Sequence, residues 1–138
     1  MDKNEITFNI NKYQNDIIKF NNKISVLIQK IEHLKLIDRK MINLQKSIED
    51  SVNNRKNKLS SLANLQINPN LQRKYNDGML EMLSGTEFVN LINGFSEHRS
   101  LISNRIMSTE DEVSNIRNNI VDLNNNIQDL RNKLRQIS

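Results

Sequence analysis

The chain has 138 residues, 36% of them hydrophobic, 4% aromatic and 26% charged, with a net charge of +4, three glycines, one proline and no tryptophan or cysteine. The absence of thiols excludes a disulfide framework, a cysteine metal site and a cysteine nucleophile; no apolar run approaches the roughly 20 residues of a membrane span, and the amino-terminal MDKNEITFN lacks the apolar core of a signal peptide. So little glycine and proline leaves little room for loops, and long helices are expected if the apolar residues are periodic rather than scattered as in a disordered chain.

They are periodic. From Ile10 they step by three and four through Tyr13, Ile17, Phe20, Ile24, Leu27, Ile31 and Leu34, the a/d repeat of a helix that presents one narrow seam to another helix. Beyond Leu34 the apolar stripe continues at Ile37, Met41, Leu44 and Ile48, which requires a three-residue slip, a stammer that overwinds a coiled coil. The stripe thins between Ser51 and Lys58 and returns at Leu59, Leu62 and Leu65. This predicts a first helix over about residues 5–65.

The breakers collect next. Asn68-Pro69-Asn70 and Asn76-Asp77-Gly78 read as turns, so residues 66–85 are expected to form an irregular connector, with short helical pieces at 71–75 and 79–83. Thr86 or Ser84 is the expected N-cap of the second helix, with Glu87 near its positive end.

A second helix is predicted over about residues 86–137, on a strict four-three alternation of Phe88, Ile92, Phe95, Arg99, Ile102, Ile106, Thr109, Val113, Ile116, Ile120, Leu123, Ile127, Leu130, Leu134 and Ile137. Only Arg99 and Thr109 interrupt its apolar character; such residues either fix register at some cost in stability or face a gap. The run from Ser108 to Glu112 resembles a helix start, but the stripe keeps its phase there, so one continuous helix is expected.

Two seams of matching length joined by one connector predict an all-α fold: a single domain over 1–138 built as a long antiparallel, coiled-coil-like two-helix hairpin with an irregular connector. Charge agrees, since residues 1–74 hold 14 Lys/Arg against 7 Asp/Glu, a net +7, while residues 75–138 hold 6 against 9, a net −3. The apolar residues Ile18, Val26, Ile28, Leu36, Ile42, Leu91, Leu101 and Val121 flank the seams and widen the apolar face beyond what one hairpin covers. A helical partner or a homodimer is therefore expected.

The sequence offers no catalytic constellation, no cofactor motif and no metal-ligand set. His33 and His98 are isolated on expected exposed positions, and Glu110, Asp111 and Glu112 diverge around a helix instead of sharing one face. The lysines and arginines are spread along the first helix, unlike the concentrated basic region of a DNA-binding zipper, so no nucleic-acid partner is expected. Membrane insertion is not expected either.

At Leu83-Ser84-Gly85, with Phe88 three residues after the glycine, the sequence resembles the WXG-like small helical-hairpin proteins of bacterial type VII secretion. These place a W-x-G turn between two helices with an aromatic residue soon after it; leucine stands here in place of the tryptophan. Length, hairpin and Ile/Leu periodicity are also similar to the YwqH-like accessory proteins associated with LXG toxins. The resemblance implies a non-enzymatic accessory or targeting chaperone that binds the N-terminal helical domain of a secreted LXG toxin and supports its export. It further implies a second small helical helper protein, a cytoplasmic location and co-secretion with the partner. The implied partner surface is Leu83, Gly85, Phe88, Ile92, Phe95, Ile102 and Ile106, together with Ile17, Phe20, Ile24, Leu27 and Ile31. Secreted relatives carry a Tyr or Phe four residues before an acidic residue on the C-terminal helix. Here Phe88 and Phe95 precede Ile92 and Arg99 in that spacing, so the export signal would belong to the partner. Two alternatives share the periodicity: a homodimeric coiled-coil scaffold, favoured by β-branched residues at Ile106, Val113, Ile120 and Ile127, and a FliJ-like export chaperone.

Overall fold

A computed structural model describes residues 2–63 and 69–137, and the side chains of all of these but 62, 63, 69 and 72. Three helices follow in order: α1 (Lys3–Ala63), α2 (Pro69–Ser84) and α3 (Thr86–Ile137). The described residues form no strand, so the chain is an all-α helical hairpin. Leu65 and Asn68, read above as the end of a stripe and part of a turn, lie outside the described residues, as do the side chains of Leu62 and Pro69.

The start of α1 is locally encoded. The Asp2 carboxylate accepts the Glu5 N–H at 2.8 Å, the Glu5 carboxylate accepts the Asp2 N–H at 3.4 Å, and the Asp2 carbonyl accepts the Ile6 N–H at 3.1 Å. This reciprocal capping box satisfies donors that a bare helix end leaves without partners. Its signature, an Asx residue three places before Glu, stands in the sequence two residues ahead of where periodicity alone would start the helix.

The chain divides into two compact units: Met1–Leu34 with Asn104–Ser138, and Lys35–Ser103. In the first unit, the core clusters set the sense of pairing. Ile6 and Ile10 pack with Ile127 and Leu130, while Ile24, Leu27 and Ile31 pack with Val113 and Ile116. Rising numbers on α1 meet falling numbers on α3, so the two segments are antiparallel. Burying each such side chain supplies about 1.5–3 kcal/mol, and this one seam provides most of what holds the unit together. Lys23 and Glu112 lie 3.8 Å apart beside it, both at least half exposed, a contact worth less than about 1 kcal/mol. The β-branched Val113 and Ile127 are already buried against α1, so the side chains that suit a parallel dimer serve the hairpin instead.

In the second unit the expected stammer is absent. Leu44 is 53% exposed, and the half-buried positions of α1 are Ile37, Asp38, Met41, Gln45, Ile48 and Val52, with Glu49 and Lys56 beside them. Asp38, Met41, Gln45, Ile48 and Val52 continue the three-four spacing of Leu34 without a slip. The slip is an artefact of counting apolar residues alone, because two seam positions are polar. Asp38 accepts a hydrogen bond from Arg99 Nε at 3.0 Å, and Gln45 Nε2 donates to Glu49 Oε1 at 3.2 Å. Arg99, the interruption in the second stripe, thus meets a charged seam residue of α1. Thr109 resolves differently. It is 6% exposed and its hydroxyl donates to the Arg105 carbonyl one turn back at 2.7 Å, satisfied within its own helix.

The Asp38–Arg99 pair is partly exposed, with side chains 28% and 40% accessible. A double-mutant cycle on Asp38→Ala and Arg99→Ala is expected to give a coupling of about 0.5–1 kcal/mol. Replacing both by leucine should recover or exceed wild-type stability in urea titration, because a half-desolvated pair is matched by apolar packing. A coupling near zero would mean that the contact does not fix the seam.

The connector is the main correction. Pro69 opens α2, a position where proline's missing N–H is not needed, and the helix runs without a break through Asn76-Asp77-Gly78 to Ser84. No described residue has a positive φ, so Gly78 does not use the freedom that would make a turn. Leu83 is buried, and Met79 and Asn76 are half-buried; covering this edge of α2 favours helix over the turn that the local residues signal. Only Gly85 separates α2 from α3. Its carbonyl accepts the Val89 N–H at 3.2 Å, so Gly85 is the N-cap, and not Thr86 or Ser84. α3 then continues unbroken to Ile137 through the run 108–112.

Candidate interaction site

The residues singled out from the sequence as a partner surface fall into two groups. Ile24, Leu27 and Ile31 are buried in the first unit's core, with Phe20 and Ile106 packed against it, and Ile17 packs against the second cluster. These side chains are used within the chain. In the second unit Leu83 is 7% exposed, Phe88, Ile92, Phe95 and Ile102 are half-buried, and Gly85 is the helix junction.

What remains on the surface is the flanking set. Ile18, Val26, Ile28, Leu36, Ile42, Leu91, Leu101 and Val121 are between 39% and 64% exposed, as expected from their places beside the seam. They are unevenly distributed. Of the seventeen large hydrophobic side chains exposed among the described residues, ten lie within Lys35–Ser103, where Leu59 and Leu83 are the only described hydrophobics that are buried. The second unit is therefore the less completely covered of the two.

Two open grooves have defined linings. In the first unit a groove of about 400 Å³ is lined by Val26, Leu34, Gln29, Lys30, His33, Arg105 and Thr109. It combines an apolar floor with two cationic side chains and an exposed histidine, and it suits an acidic, partly apolar segment. In the second unit a groove of about 500 Å³ runs past Gly78, Glu81, Met82, Gly85, Thr86 and Glu87. Sequence reading did not foresee this second groove, because it treated residues 66–85 as an irregular connector. Among the described residues no cluster of three or more His, Asp or Glu side chains is placed to hold a metal ion, and no helix is long and apolar enough to cross a membrane.

The fold and these surfaces define the chain as an α-helical hairpin. No protein family, curated protein or solved structure matches it.

Proposed function

We propose that the chain is a non-enzymatic accessory or targeting chaperone that binds the N-terminal helical domain of a type VII secreted LXG toxin and supports its export from the cytoplasm, leaving with its partner. The observation that supports this reading is the incomplete cover of the second unit. A helical hairpin whose seam is only half-buried from Asp38 to Val52 and from Phe88 to Ile102, with large apolar side chains exposed around it, gains stability when a further helix is laid on it. The resemblance of Leu83-Ser84-Gly85 and Phe88 to the W-x-G hairpins supplies the kind of partner.

Co-expression with the helical domain of a toxin encoded beside it should yield a complex that survives size exclusion, and amide exchange within residues 35–103 should slow on binding. If every neighbouring toxin domain fails to co-purify while the chain alone is folded, the proposal is wrong.

A further inference from the structure

α2 has two apolar edges. One edge, Asn76, Met79 and Leu83, is turned inward: Leu83 is buried and the other two are half-buried. The other edge follows a second seam. Leu71, Tyr75, Gly78 and Met82 succeed one another by four, three and four residues, the d-a-d-a spacing of a coiled-coil face. Its three side chains are 68%, 56% and 67% exposed, among the most exposed large hydrophobics of the chain. A Cβ at Gly78 would meet nothing within 4 Å, so the middle of this stripe is an open notch in the groove that Met82 and Glu81 line.

The charges beside the stripe say what covers it. Lys74 precedes Tyr75 and Glu81 precedes Met82, so both occupy the g position on the same flank, seven residues apart, and both are exposed. Two copies of a helix laid antiparallel bring like flanks together, g against g, so Lys74 of each copy meets Glu81 of the other. The arrangement is self-complementary and repeats twice about a two-fold axis, as a closed homodimer requires. In a parallel pair, or with a helix of uniform charge, one of the two charges would be left opposed or unmatched. The notch at Gly78 falls near the centre of the crossing, where missing side chains let two backbones approach. We infer that the Leu71, Tyr75, Gly78, Met82 stripe of α2 binds a second copy of this chain in antiparallel, two-fold symmetric pairing. The inference does not rest on the toxin-partner reading: it concerns the chain alone and is tested by its own sedimentation, whereas that reading is tested by co-expression.

α2 is short, so the pairing should be concentration-dependent and visible by sedimentation of the full chain. Lys74→Glu and Glu81→Lys should each weaken association about tenfold, since each turns two attractive contacts into repulsive ones. The combined variant should restore it, because the pairs are then exchanged and not lost. Tyr75→Glu should leave a monomer of unchanged helicity. The inference is overturned by a wild-type chain that stays monomeric up to its solubility limit, by a dimer indifferent to Tyr75→Glu, or by a double charge swap that fails to restore what the single swaps remove.

Discussion

Leu27→Ala should lower the unfolding free energy by about 2–5 kcal/mol. Leu27 is 6% exposed and packs with Ile24, Ile31, Val113 and Ile116, flanked by Phe20, Ile106 and Ile120. Removing its branched end forfeits apolar burial and leaves a gap lined by those side chains. A two-helix seam is only one layer thick, so water reaches such a gap more readily than in a globular core, and the loss should fall toward the lower end of the range. The control is Leu44→Ala. Leu44 belongs to the apolar stripe by sequence but is 53% exposed, and its truncation should change stability by no more than about 0.5 kcal/mol. Urea titrations followed by helicity compare the two directly. Equal losses would mean that the seam passes through Leu44 and that the register around Asp38 and Gln45 is misplaced.

Gly85→Ala should cost about 1–3 kcal/mol, the usual penalty for forcing an extra carbon into filled space. An added Cβ would stand 2.5 Å from the Glu81 carbonyl oxygen, and the obstacle is backbone, which cannot rotate away as a side chain end can. Relief requires α2 to part from α3 at the residue whose carbonyl begins α3. Gly94 is the opposite case. It lies inside α3 with no atom within 4 Å of an added Cβ and without a positive φ. Gly94→Ala should therefore stabilise the chain by about 0.4–1 kcal/mol through the reduced freedom of the unfolded state and better helix propensity. Thermal unfolding of the two variants should move in opposite directions. Stabilisation by alanine at both sites would remove the case for a glycine-dependent junction.

The contrast between these glycines bears on the motif that carries the family resemblance. A W-x-G turn joins two long helices, whereas Gly85 joins the 16 residues of α2 to the 52 of α3. Its requirement for glycine comes from a close approach of backbones and not from a left-handed conformation. Leu83, at the place of the tryptophan, is buried and anchors α2 just ahead of that junction.

The repeat from Ile10 to Leu34 and from Phe88 to Leu134 was legible in the sequence, because a seam period is a property of a single helix and each residue reports its own side; Ile6, the most buried side chain, extends it by one step that the sequence reading did not include. For the same reason the bounds of α3 could be read directly, and so could the exposure of the flanking residues from Ile18 to Val121. Tertiary structure decided what faces what. Asp38 occupies a seam position where Arg99, 61 residues further on, meets it, and no count of apolar residues along α1 contains that information. Likewise, Asn76-Asp77-Gly78 carries a strong local turn signal, and α2 is helical across it because Met79 and Leu83 are covered on one edge. Local chemistry fixes which conformations a segment favours and how its side chains are spaced. Which of them are covered depends on the surface that packs against them, and that surface is contributed by residues far away in the chain.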